Sequence, residues 1–479
     1  MKQREIDLIF SRRHPEYRNH ESRWRLCRDA YSGGAAYIDC ALVRHVSELE
    51  LEFEERRRRA YYFNYPRAIA RRITQYILAT DPVRRGADRE LAADWSLTGL
   101  RVNEVMRQLS TILNVYGRGW LLVEAPNFRG RPSRAEARRR RLRPYVRALA
   151  PLAVTDWAFA PDGKLLWAIV AEEEFCNQDP FSPPEIRRCR RLYERDRWRL
   201  FADTAEGVRE IASGPNPAGA VPLVPVTEPD GFGLEANHWF EDVERISRAI
   251  LNNESEAQMN VVKQMFGLLV ISDSFARGAR RQAQAERGEN GDGSFAATLA
   301  RSAAVIESVE EKGISRFISP SGVETATIRS ENTRLKEELY EVVGLSVQRY
   351  ASDARTAAAK EWDFLNTARF LASRAELLEQ SEIAAWQLVH AFDPSIAVPE
   401  VTYCRSFAVR DLAASIAALL DLSTLSEGTE FRRAVRRAAL EMLHELQPLP
   451  GADRERIFSE IDAAAGPETA TETATEDRP

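Results

Sequence analysis

The chain has 479 residues, 44% hydrophobic and 29% charged, enough for several modules around a substantial core. No stretch of about eighteen uncharged apolar residues occurs, so the sequence offers no helical membrane span, and residues 1–7 lead into no apolar segment, so no secretory signal is expected. The net charge is -5, and arginine supplies nearly all the positive charge, which argues against tight DNA binding through phosphate neutralisation but allows a protein that surrounds DNA without gripping it.

In chain order, residues 15–125 read as mainly helical. A short helix carrying Trp24, Leu26 and Cys27 is closed by Gly33-Gly34, and a charged helix covers 48–59. Another runs from Pro66 to about Ala79 with Ile69, Ile73, Tyr76 and Ile77 at helical spacing, and 100–116 repeats the pattern through Val105, Leu109 and Ile112. Gly117 and Gly119 break it, and 120–124 reads as a buried strand. A basic, Gly- and Pro-punctuated insertion at 127–143 contains Arg138-Arg139-Arg140-Arg141. Residues 144–227 are strand-rich, with 189–193 and 198–201 as paired strands.

Between Leu234 and Phe266 there is no Gly or Pro, and Phe240, Val243, Ile246, Ile250, Ala257, Val261 and Met265 recur at three- and four-residue steps, which predicts one long amphipathic helix. Strands are expected at 268–271, 304–306 and 316–318, around a polar stretch at 277–294. A second long helix spans 323–343 with Ile328, Leu335, Leu339 and Val343 on one face. After an irregular segment at 346–356, a third helix at 357–392 would run for roughly 50 Å, too long for the centre of an ordinary compact domain. Pro394 and Pro399 end it. A strand at 401–403 and helices across 409–465 follow, and the Thr- and Glu-rich tail from 466 is expected to be disordered.

Catalytic patterns are missing. None of the six lysines precedes Ser or Thr, which removes a P-loop, and neither HExxH nor G-x-S-x-G occurs. Cys27, Cys40, Cys176, Cys189 and Cys404 form no CxxC and are read as buried reduced thiols. The run Glu172-Glu173-Glu174 is read as solvated surface, because neighbours on a strand point to opposite faces and do not converge on one metal. The expectation is a protein with no catalytic residues, metal or cofactor.

Several local patterns resemble the portal proteins of tailed bacteriophages. Trp24, Asp29 and Gly33 have W-x4-D-x3-G spacing, and the run Arg59-Ala60-Tyr61-Tyr62-Phe63-Asn64-Tyr65 looks like that family's step into the next helix. Arg143-Pro144-Tyr145-Val146 followed by Thr155-Asp156-Trp157 is similar to its R-P-Y … N-W element, with Asp in place of Asn. Phe407-Ala408-Val409-Arg410-Asp411 and Leu425-Ser426-Glu427-Gly428-Thr429 resemble its C-terminal pattern, whereas Arg355-Thr356-Ala357-Ala358-Ala359 departs from its Ser-Gly-x-Ala opening.

The resemblance implies an α+β, mostly helical portal fold. It divides into an N-terminal wing (1–235), first stem helix (236–266), clip (267–322), second stem helix (323–345), tunnel loop (346–356), long wing helix with return strand (357–404), crown (405–465) and tail (466–479). It implies a ring of about twelve copies at one capsid vertex, assembled in the host cytoplasm and carried in the virion. Such a ring conducts double-stranded DNA without sequence specificity during packaging and ejection. Its partners would be the terminase large subunit, the major capsid and scaffolding proteins, and a head–tail adaptor, with no membrane. Gln348, Arg349, Ser352, Asp353, Arg355 and Thr356 of the tunnel loop would touch the DNA backbone. Glu241, Arg245, Arg248, Asn252 and Glu256 of the first stem helix would line the channel, with Arg329, Arg334, Lys336, Glu337, Glu338 and Glu341 of the second. The competing readings are a magnesium-dependent nucleic-acid enzyme using Glu172 to Glu174, or a head–tail or scaffolding protein that forms no ring.

Overall fold

Local capping chemistry bounds the first helices. In α2 (Pro15–Ser32), Pro15 sits in the first turn, His14 Nδ1 accepts the Glu16 amide, and Gly33 at φ +62° ends the helix. This helix is much longer than the short one expected around Trp24. α5 (Tyr65–Ile77) starts on Asn64, whose side chain accepts the Arg67 amide at 2.8 Å. α7 (Val102–Tyr116) stops at Gly117, which is left-handed at φ +70°. Around them lie α1 (Gln3–Ser11), α3 (Ala35–Ala41), α4 (Glu50–Arg59), β1 (Val83–Arg85) and α6 (Arg89–Ala93).

The computed structural model describes residues 3–126, 142–176, 181, 186–204, 206–228, 238–265, 268–272, 305–308, 316–318, 322–343, 357–405, 407, 429–446 and 451–463. They belong to two units, Met1–Phe407 and Ala408–Pro479.

Two antiparallel sheets form one half of the first unit. β2 (Arg118–Glu124), buried along its whole length, lies between β3 (Tyr145–Leu149) and β9 (Leu223–Thr227). A meander of β4 (Val154–Phe159), β5 (Leu165–Phe175), β6 (Ile186–Glu194), β7 (Arg197–Thr204) and β8 (Gly207–Pro215) makes the second sheet. The expected pairing of 189–193 with 198–201 is present, with Cys189 opposite Ala202 and Tyr193 opposite Trp198. Trp120 and Leu122 pack with Trp157, Ala168 and Val170, so the two sheets share one apolar cluster, to which α2 adds Tyr17 and Trp24. On the other side of the meander, Ile9 of α1 packs on Ile169, Leu192 and Phe201.

The largest core joins α5, α7 and β2 to α10 (Ala357–Phe392) and β13 (Glu400–Thr402). Leu371, Ala375, Leu378, Ala385, Trp386 and Val389 of α10 are all buried there, and the Trp95 and Trp386 rings lie 5.4 Å apart. The expectation that this helix is too long to occupy a domain centre is therefore corrected: a long face of it is core. β13 pairs antiparallel with β1, Val83 opposite Thr402.

The remaining elements of this unit are α8 (Trp239–Met265), α9 (Gly322–Val342) and a small sheet. In that sheet β10 (Leu268–Ser272) lies between β11 (Val305–Ser308), which is parallel to it, and β12 (Arg316–Ile318), which is antiparallel. In the second unit, α11 (Thr429–Leu446) and α12 (Gly451–Ala463) are linked by Arg437, whose Nη2 donates to both Asp462 oxygens at 2.6 and 2.7 Å. The architecture is α+β. Among the described residues no helix is long and apolar enough to cross a membrane.

Candidate functional site

α8 begins where three elements meet. Gly117 closes α7 directly beneath the His238 ring, and a Cβ there would lie 2.7 Å from His238 Cδ2. His238 Nε2 is 2.9 Å from Glu228 Oε1, and the same carboxylate pairs with Arg374 of α10. The start of α8 is thus tied to both β9's end and the central helix.

From there α8 and α9 run antiparallel. Val243 shares the main core with Leu339 and Val343, Asn253 meets Asn332 further on, and Met259 lies near Ile328 beyond that. Leu335 and Leu339 supply the apolar seam, but its centre is polar. Asn332, 1% exposed, accepts from Asn253 Nδ2 at 2.9 Å and donates to Glu254 Oε1 at 2.8 Å. A buried amide satisfied from two sides fixes one register between paired helices. Replacing Asn332 with Ala takes one hydrogen bond from each of Asn253 and Glu254, and a loss of about 2 kcal/mol is expected in chemical denaturation. An unchanged midpoint would show that the amide contributes nothing to the pairing.

The opposite flank of α8 carries a ladder of polar contacts to α2, α3 and α4. Arg23 forms a two-pronged pair with Glu241. Tyr37 OH donates to Glu244 Oε1 at 2.9 Å, and Arg56 Nη1 donates to Ser255 Oγ at 2.9 Å. Asn252 accepts the Val43 amide at 2.8 Å and donates to Ala41 O at 3.1 Å. Glu241 is 7% exposed. The channel-lining expectation is corrected for Glu241 and Asn252: both face other helices of the same chain, because Arg23 and the 41–43 backbone complete them there. Arg248 is half-buried beside Glu244 at 3.6 Å. Of the five positions on this helix, Arg245 and Glu256 are exposed.

Glu244 is buried, with no partner on Oε2. Burial pushes its carboxyl pKa up, while Arg248 and the Tyr37 hydroxyl pull the other way. The folded chain therefore holds that proton more tightly than the unfolded chain. The stability this contributes is complete below the unfolded pKa and is lost as pH rises through the folded one. Glu244→Gln keeps an acceptor for Tyr37 and removes the desolvated charge. It should gain about 1 kcal/mol near neutral pH and nothing near pH 4. A gain that did not change between those pH values would sink this account.

α9 supplies the open face. Arg329, Arg334, Glu337 and Glu341 are exposed, and Lys336 and Glu338 are partly so. Arg334 is paired with Glu331 and Glu338 along the helix, and Lys336 lies 4.0 Å from Glu254 of α8. Each of α8 and α9 holds five carboxylates against three cations. An acidic, hydrated surface of this kind does not condense on phosphate. The tunnel-loop positions Gln348, Arg349, Ser352, Asp353, Arg355 and Thr356 lie outside the described residues, as does the run Arg138 to Arg141.

Glu172 is not the solvated residue expected. Between the two sheets, Glu124 and Glu172 alternate with Arg147 and Arg191 in a closed ring of ion pairs at 2.8–3.2 Å. Tyr145 and Tyr193 donate to Glu124 as well, at 3.1 and 2.5 Å. Sequence reading missed this cluster, because its members come from four strands. No group of three or more His, Cys, Asp or Glu able to hold a metal occurs among the described residues. The cysteine expectation is corrected too: Cys27 and Cys189 are buried, Cys40 is exposed, and Cys176 and Cys404 are intermediate. Burial pushes the Cys27 thiol up to about 12.

In comparisons with known proteins, no family model and no curated sequence matches this chain.

Proposed function

We propose that this chain is the subunit of a portal-like ring through which double-stranded DNA passes. The observation that carries this reading is the antiparallel pair α8–α9, joined through a small three-stranded sheet and sharing an apolar core with the long helix α10. α9 presents a mixed but net acidic face that would leave DNA free to slide. The sequence patterns quoted above favour the same arrangement. In this reading α9 borders the aperture and α8 stands behind it. The small sheet belongs to the clip that meets a packaging motor and later an adaptor, and the 346–356 segment approaches the DNA backbone. The ring acts as a conduit and docking platform, with packaging energy supplied by a partner.

Mass measurement of the purified full-length chain, with electron-microscope images viewed down the particle axis, tests this. A closed ring of about twelve copies with a central hole is expected. A chain that stays monomeric at high concentration would overturn the reading.

A further inference from the structure

We infer that an oxyanion of the phosphate type binds between Arg13, Arg188 and Arg190, where the end of α1 meets β6. Most arginines of the two-sheet half come with a carboxylate. Arg12 holds Asp156, Arg118 holds Glu16, Arg199 holds Glu194, and Arg147 and Arg191 share Glu124 and Glu172. Arg13, Arg188 and Arg190 differ: among the described residues none of them forms an ion pair.

Strand geometry and the helix end bring the three together. Arg188 and Arg190 alternate along β6 and so project from the same face of the meander. α1 packs on that face through Ile9, against Leu192 and Phe201, and the Arg190 guanidinium lies over its Phe10 ring, 5.3 Å from the centroid. Arg13 follows just beyond α1. Its Nη1 donates to Phe10 O at 2.9 Å and to Arg12 O at 2.7 Å, and its guanidinium sits 5.8 Å from the centre of the Tyr17 ring.

Little around Arg190 answers its charge. Nη1 donates to Cys189 O at 3.0 Å, but Nε is buried with no acceptor. Burial lowers the Arg190 pKa, Arg13 and Arg188 lower it further, and Tyr17 pulls the other way. A guanidinium still stays charged at neutral pH, so like charges are left together with spare N–H donors. Glu173 stands opposite Arg188 across the β5–β6 pair and forms no ion pair with it.

Charge and geometry select the ligand. A partly desolvated guanidinium without a counter-charge is costly, and an anion placed beside it removes that cost. A tetrahedral oxyanion presents several oxygens at once and can accept from Arg190 Nε and from its neighbours together. Three arginines neutralise about one phosphate, too few to hold a length of duplex on a chain whose net charge is -5. Free phosphate, or the phosphate group of a small molecule, therefore suits the site better than a nucleic-acid backbone. Bound there, it ties Arg13, and with it the end of α1, to β6.

The test is thermal melting of the full-length chain in sodium phosphate against sodium chloride at matched pH and ionic strength, with calorimetric titration of inorganic phosphate. Phosphate should raise the midpoint saturably at millimolar concentration, as a ligand of the folded state does and an excluded salt does not. Arg190→Gln relieves repulsion, so in chloride it should melt no lower than the wild type. It should also weaken phosphate binding about tenfold, the cost of one charge-assisted hydrogen bond. Arg188→Gln, at an exposed position, should weaken binding too, and it decides alone if Arg190→Gln does not fold. Arg209→Gln on β8, where the arginine is paired with Glu206, should change nothing. A wild type indifferent to phosphate, or an unaltered response in the Arg190 and Arg188 variants, would remove the site. So would a short DNA duplex that binds the wild type and neither variant while free phosphate has no effect, which would assign the cluster to a nucleic-acid backbone.

Discussion

Glu382→Ala should lower the stability of the first unit by about 3–5 kcal/mol, because it strands a buried guanidinium. Glu382 of α10 is fully buried and Arg84 of β1 nearly so. Arg84 Nε and Nη2 donate to the two carboxylate oxygens at 2.5 and 2.9 Å, Tyr403 OH donates at 2.7 Å and Trp386 Nε1 at 3.1 Å. One carboxylate thus joins the central helix to the β1–β13 sheet, and deleting it leaves four donors without an acceptor in a dry site. Arg85→Ala is the control. Its pair with Glu400 spans 3.9 Å with both side chains mostly in water, so a change near zero is expected. Denaturant midpoints of the two variants decide the matter, and equal values would show the buried pair to be dispensable.

Glu124→Ala should cost about 3 kcal/mol, somewhat less than the loss of Glu382. Glu124 accepts from two tyrosines and two arginines, but Arg147 and Arg191 keep 40% and 24% of their side chains exposed, so water partly replaces the lost acceptor. Because Glu172 holds the same two arginines, Glu124→Ala and Glu172→Ala should not be additive. A double-mutant cycle giving a simple sum would mean that the four charges do not act as one network.

Much of the architecture was legible where a single element carried its own signal. Residues 357–392 contain no Gly or Pro and are followed by Pro394, and the helix occupies that span. The strand pairing around Cys189 and Phe201 was legible from short segments mixing arginine with large apolar side chains on either side of a polar turn. β1 was not: it is three residues long, two of them arginine, and its partner lies far along the chain at 400–402. Nothing in the sequence around Glu382 separates it from Glu379 three residues earlier. The polar stripe of α8 could be read, but its destination could not. Glu241 and Asn252 look the same in sequence whether they face water or, as here, Arg23 and the backbone near Val43. The second half of that interaction is supplied by residues some two hundred positions away, and no periodicity within one helix carries that information.

The amide at position 332 sets how force travels through the helix pair. A slide of one helical turn along the axis, about 5.4 Å, would carry Asn332 off both Asn253 and Glu254. A pull along α8 would therefore load this amide as well as the Tyr37 and Arg23 contacts near the base of the helix.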